Sequence, residues 1–430
     1  APEPTDVGAR EDEPNPFWEE TADHPGYAPT QDEWAALRPV DVEAPDPHEP
    51  DDVALLDAAG DLDEAADASA LALAGQVRRH AGVLDPAGRE LDALLARAYD
   101  DDTAPVSPRR IIELNQAALE FYTARYPGSW AQAYLTDRAR TDLTGDPHLQ
   151  PGYAPAGWTT LVTHLRRHGA TDLELTESGL ASLTRNGRLI DRFRDRLVLP
   201  ITATGHDGTV HTLGFVGRRS DDDDGPKYLN TPDTPAFHKG AQLYTDRPDL
   251  LDAGATPVLV EGPLDALAVS LAGNGRYVGV APLGTALTEE QARQVAKAAH
   301  AHQQQPIVAT DPDLAGQTAA HRDYWLLVQH NVDPATITLR PDSDPADLLH
   351  LHGADELRAT LTGTRPLADL LLAERLTHLD GIAAARQAVA VLAAGDPARW
   401  ETGIERIAEA SGTPAAVVRR DLNAAVSHWD

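Results

Sequence analysis

Between Pro257 and Leu339 short apolar runs alternate with longer helical patterns, and no other feature of the chain restricts its fold as strongly. Strand-like runs at 258–260, 277–280, 307–309 and 336–339 are separated by helix-like stretches at 264–272, 289–302 and 315–330. Parallel strands need long crossovers, usually helices. The alternation therefore predicts a compact α/β domain whose largely parallel sheet is covered by helices.

Carboxylates stand where those strands should end: Glu261 after the first, Asp311 and Asp313 after the third, Asp342 and Asp344 after the fourth. The carboxyl ends of strands form the ligand crevice of open α/β sheets. Acids gathered there repel one another, so they must bind cations, share protons or stay solvated. Such a cluster suits a divalent ion that holds triphosphate oxygens. The plainer explanation is that acids favour turns and helix starts. For one residue the two explanations weigh equally; for three strand ends at once the plainer one is strained.

The chain has no cysteine, which removes disulfides and thiolate metal sites. An ion held by carboxylates is a hard one, Mg2+ or Mn2+, and no zinc is expected. The histidine pairs His300/His302 and His350/His352 lack the spacing that puts two ligands on one helical face, and they read as solvated surface. There is no run of about 20 apolar residues and no basic-then-apolar leader, so no membrane partner is expected and the cytoplasm is the expected compartment. The absence of methionine and the start at Ala1 suggest a fragment or an altered sequence.

The net charge of −32 argues against indiscriminate affinity for nucleic acid, which is bound mainly through Lys and Arg. Much of the acidity falls in 1–64, rich in Asp, Glu and Pro and read as a disordered tail. A short helical and linker region at 65–108 follows, with helical patterns at 69–83 and 86–99, the second opened by Asp85 and Pro86. Residues 109–250 mix helices (111–125, 130–138, 158–168) with strands (197–202, 210–216), an α+β pattern. The α/β domain occupies 251–365. From 366 to 430 the pattern is helical, at 367–376, 381–394 and 399–411, with Thr413-Pro414 opening one more. No repeat of solenoid length is present.

Local basic positions exist in the α+β region. The chain has three lysines, Lys227, Lys239 and Lys297, and the first two follow an arginine-rich run through Arg192, Arg194 and Arg196. Lysine is a compact charge suited to phosphate, and arginine a planar fork. In the plainer reading these three arginines alternate along a strand as surface ion pairs with Asp191 and Asp195. The acidic loop 221–224 is expected to point to solvent. Trp158, Phe193, Phe215 and Phe237 offer base stacking, with core packing the preferred role.

Two groups of motifs carry a resemblance. Glu261-Gly262-Pro263-Leu264-Asp265, Asp311-Pro312-Asp313 and Asp342-Ser343-Asp344-Pro345-Ala346-Asp347 resemble the TOPRIM domain shared by bacterial primases and topoisomerases. The run from Gly187 to Arg196, with Pro200-Ile201, Gly214-Phe215-Val216-Gly217-Arg218, Pro226-Lys227-Tyr228-Leu229-Asn230 and Phe237-His238-Lys239-Gly240, resembles the polymerase domain of DnaG-type primases. Tyr134-Leu135 with Arg138, and Gly152-Tyr153-Ala154-Pro155 with Trp158, extend the match upstream. The fold class so implied is an α+β polymerase subdomain, then a TOPRIM domain, then a helical segment.

The resemblance implies a DNA primase without its zinc-binding domain, making short RNA primers on single-stranded DNA from ribonucleoside triphosphates. It implies catalytic roles for Glu261, Asp265, Asp311 and Asp313, and metal binding by Glu261, Asp311, Asp313 and Asp344. Template and nucleotide contacts would fall to Arg138, Arg192, Arg194, Arg218, Lys227, Asn230 and Lys239. A replicative helicase is a further expected partner, and a mobile-element origin would suit the acidic N-terminus. Two rivals remain: a TOPRIM nuclease or topoisomerase-like enzyme using the same acids, and a non-catalytic module that keeps the fold to bind single strands.

Overall fold

The structure, a computed structural model, describes residues 104–427 except 185–186, 205–208, 222–225, 285, 342 and 379–380. The acidic tail 1–64, the helical patterns at 69–83 and 86–99, Asp342 and most of the 221–224 loop lie outside the described residues.

The first domain is a platform built on a four-stranded antiparallel sheet. Its elements are α1 (Pro108–Thr123), α2 (Trp130–Ala139), β1 (Gly152–Ala154), α3 (Thr160–Arg167), α4 (Asp172–Glu177), β2 (Ala181–Leu183), β3 (Leu189–Asp191), β4 (Arg196–Thr204), β5 (Val210–Arg219) and β6 (Tyr228–Asn230). Helix starts follow local chemistry. Ser107 caps α1 with Pro108 at its first position, Ser129 caps α2, and Thr171 with Glu174 forms a capping box on α4. The sheet order is β1-β4-β5-β6, with a bulge between Ile201 and Thr202 in the long β4–β5 ladder, and β2 and β3 form a separate hairpin. Phe193, Phe215 and Phe237 are buried with the apolar faces of these strands.

After β7 (Leu243–Tyr244) and α5 (Pro248–Asp252) comes the alternating domain: β8 (Thr256–Leu259), α6 (Pro263–Gly273), β9 (Tyr277–Pro282), α7 (Glu289–Ala301), β10 (Ile307–Val308), α8 (Leu314–Gln329), β11 (Ala335–Thr336), α9 (Pro345–His352), α10 (Ala354–Thr362) and β12 (Arg365–Pro366). Its sheet runs β12-β11-β10-β8-β9-β7; the four inner strands are parallel, and β7 and β12 are antiparallel edges. One face shares a core with the platform, where Leu135, Leu199 and Tyr244 join Val258, Leu264 and Leu267. The other face packs on the C-terminal helices α11 (Leu367–His378), α12 (Gly381–Ala394), α13 (Trp400–Ser411) and α14 (Ala415–Val426) through Tyr324, Leu371, Val389 and Trp400. Among the described residues no helix is long and apolar enough to cross a membrane.

Candidate active site

The parallel strands point their carboxyl ends at one cleft, and the acids sit on its rim. Glu261 follows β8, and its Oε1 accepts the Asp311 N–H at 3.0 Å, tying two strand ends together. Asp313 caps α8 by accepting the Gly316 N–H at 2.7 Å. Asp344 caps α9 and accepts the Asp347 N–H at 2.5 Å. Asp265, in the first turn of α6, is buried and accepts the Ala346 N–H at 3.2 Å. Since Asp313 and Asp344 turn onto their own helices, no three carboxylates among the described residues converge on one point. Capping engages one oxygen of each, which leaves the second for a ligand.

These acids act on each other. Asp311 is pushed up to about 7 by burial first, then by Glu261, Asp344 and Asp313, while Lys227 pulls the other way. Burial, with Asp313 and Asp344, also raises Glu261, although the residue as a whole is exposed. Asp265 lies well above the ordinary carboxylate range, through burial and then Asp344 and Asp311. A divalent cation would relieve this repulsion, and an all-oxygen donor set suits a hard ion. The residues present therefore fit such an ion.

The basic positions divide into two groups. Several are engaged within the protein. Arg192 donates twice to Asn230 O, at 2.9 and 2.7 Å, and Asn230 Nδ2 donates to Leu283 O at 2.6 Å, which ties the platform to the alternating domain. Arg218 is buried over the Tyr134 ring and pairs with Asp221 at 2.7 Å. Arg138 pairs with Asp347 at 2.6 Å. The others line the opening. Lys227 is exposed and near enough to Asp311 to lower its pKa, and Lys239 lies against Gly284 at the end of β9.

The structure corrects two expectations. Arg192, Arg194 and Arg196 do not alternate along a strand: β3 ends at Asp191 and β4 begins at Arg196, with a loop between. Asp191 instead accepts the Leu161 and Val162 N–H groups at the start of α3, and Asp195 takes Trp130 Nε1 and Tyr153 OH. Trp158 is not a core residue. It is 63% exposed, with the Arg194 guanidinium 4.5 Å from its ring centre, whereas the three phenylalanines are buried.

The residue reading named Arg196 but missed that it is buried: it donates to Gly217 O, Pro226 O and Lys227 O and so fixes the loop that presents Lys227. It also missed buried Asp246, bonded to Ser270 Oγ at 2.7 Å, and buried Asp323 on α8. Neither acid has a local sequence signal, because each is defined by packing against distant segments.

An α+β platform facing the acidic strand ends of a parallel sheet defines a Toprim-containing catalytic core. Residues 121–247 match the DNA primase catalytic core, N-terminal domain, and 258–349 match the Toprim-like family. These two matched segments make the chain similar to the catalytic core of bacterial DnaG-type DNA primases. It is 35% identical over 283 residues to the DNA primase of Deinococcus radiodurans, covering 65% of this chain and 46% of that one. The chain thus spans less than half the length of that relative. The RNA polymerase domain of Mycobacterium tuberculosis primase DnaG, solved with double-stranded DNA, superposes with a TM-score of 0.59 at 28% identity, covering 71% of this chain and 99% of that one. The Aquifex aeolicus primase, with zinc-binding and RNA polymerase domains, also gives a TM-score of 0.59, at 26% identity, covering 74% of this chain and 76% of that one.

Proposed function

We propose that this chain synthesises short RNA primers on single-stranded DNA by template-directed nucleotidyl transfer from ribonucleoside triphosphates, in the cytoplasm and in company with a replicative helicase. One observation carries the reading. The exposed Lys227 lies on the platform loop that leads into Asn230, whose Nδ2 donates to Leu283 O at 2.6 Å just after β9, so a basic loop adjoins the domain that carries the acidic strand ends. A cleft between the two can hold a triphosphate between a cation and ammonium donors.

Glu261, Asp311, Asp313 and Asp344 would hold Mg2+ or Mn2+, which when bound neutralises triphosphate charge and orients in-line attack. The chain's own groups do the rest. Lys227 and Lys239 supply point charges to phosphate from the platform side. Asp265, held above the ordinary carboxylate range by burial, steadies the start of α9 through Ala346 N.

The test incubates the full chain with single-stranded templates, labelled ribonucleotides and either cation. Incorporation dependent on template and metal supports the proposal. Strand cleavage without incorporation would favour the nuclease or topoisomerase-like reading, and binding alone the non-catalytic one.

A further inference from the structure

We infer that Arg138 is a positioning residue of the acidic site, acting through Asp347 to set the first turn of α9, and not a contact to template or nucleotide. The inference rests on the reading of the acidic cleft as the nucleotidyl-transfer centre. Arg138 belongs to the platform, yet its Nη1 donates to Asp347 Oδ1 at 2.6 Å, and its Nη2 stands 4.0 Å from Asp344 Oδ1. The preceding residue makes a second tie: His350 Nδ1 bonds Asp137 O at 3.0 Å. Asp347 and His350 are three apart on α9 and share a face. Two successive residues of α2 thus grip one face of α9 at two points a turn apart.

The grip is set in an apolar seam. Arg138 lines a small apolar cavity together with Leu135, Ala139, Leu264, Leu267 and Leu349, and its side chain is 21% exposed. The first turn of α9 is also where the acids meet: Asp344 accepts Asp347 N and Asp265 accepts Ala346 N. Arg138 therefore holds a turn whose displacement would re-aim Asp344. A phosphate reaching this guanidinium would have to displace a 2.6 Å carboxylate pair that is already partly desolvated.

The experiment compares Arg138→Ala, Arg138→Lys, Asp347→Ala and the Arg138→Ala/Asp347→Ala pair in the full chain. Primer synthesis, anisotropy with a single-stranded oligonucleotide, and hydrogen exchange of the 344–350 amides are measured. Each alanine variant should lower kcat by roughly tenfold while KM for ribonucleotide and the oligonucleotide Kd stay within about twofold, because a lost positioning group disturbs the reacting geometry and not ground-state binding. The double variant should be no worse than the worse single one, the mark of a shared interaction. Arg138→Lys should recover part of the rate by keeping a charge on Asp347 without the fork. Exchange at 344–350 should rise alike in both single variants. Loss of oligonucleotide affinity or a raised KM confined to Arg138→Ala would overturn the inference, as would additive effects in the pair or unchanged exchange. A wild-type chain that makes no primer would overturn the functional reading, while the exchange result still decides whether Arg138 orders the turn.

Discussion

A methyl group at Gly316 would meet the Asp311 carbonyl oxygen at 2.2 Å, and one at Gly279 would meet Ala266 O at 2.2 Å. Both obstacles are backbone, so neither can rotate away. Gly279 lets β9 lie against α6 in the core; Gly279→Ala should cost about 3 kcal/mol or more in chemical denaturation. Gly316 lies against the backbone of Asp311, in the loop proposed to hold the cation, so Gly316→Ala should instead weaken Mn2+ binding and slow synthesis with a smaller loss of stability. Equal stability losses and unchanged metal affinity in titration would contradict that division. At the same scale, Trp158 presents an open ring with Arg194 over it. Trp158→Ala should weaken binding of a single-stranded oligonucleotide roughly five- to hundredfold, by about 1–3 kcal/mol, without changing its salt dependence. A shallower salt slope with little loss of affinity would show that the ring does not stack.

At the scale of elements, the loops that carry Lys227 and Lys239 are held by the protein so that their ammonium groups need not be. Arg196 grips the backbone at Pro226 and Lys227, and the Lys239 N–H donates to Asp233 at 2.8 Å. Lys227→Ala and Lys239→Ala should therefore change stability by less than about 0.5 kcal/mol. Synthesis should fall roughly tenfold to a thousandfold. Normal extension by both variants at sub-saturating nucleotide would place the phosphate site elsewhere. The long elements were legible in the sequence, because their apolar period outlasts the noise of their ends: α6, α7, α8 and α12 lie where periodicity places them. Three-residue strands such as β1 and β6 were not, since three residues cannot display a period. The acidic strand ends were legible as a pattern. The engagement of Arg138, Arg192 and Arg218 was not, because each partner lies on another segment, and a charge in a sequence does not show whether protein or ligand answers it.

For the whole molecule, buried acids set the dependence of stability on pH. Asp246 and Asp323 are each raised from 3.8 to about 7, chiefly by burial. A carboxyl whose folded pKa exceeds its unfolded one is better protonated in the folded state. It stabilises the fold fully below 3.8, and that contribution is lost as pH rises towards 7. Glu174, drawn down to about 2 mainly by Arg110, works in the opposite sense and matters only in stronger acid. The melting temperature of the metal-free protein should therefore fall as pH rises from about 4 to about 7, and Asp246→Asn should flatten the fall by removing one titrating group. A melting temperature that rises over this interval, or an unchanged slope in the variant, would contradict this assignment.

The central claim is that the strand-end acids of this Toprim domain, facing the platform's lysines, carry nucleotidyl transfer. It is tested most directly by primer synthesis with Asp311→Asn and Asp313→Asn on a single-stranded template at saturating Mg2+ or Mn2+. Both variants should retain the fold by circular dichroism and lose synthesis, because a neutral ligand holds the cation far less well than a charged one. Asp311→Asn should also melt higher than wild type without metal, since it relieves the repulsion that raises its pKa. Near-wild-type synthesis by either variant at saturating metal would remove that residue from the centre, and near-wild-type synthesis by both would contradict the claim.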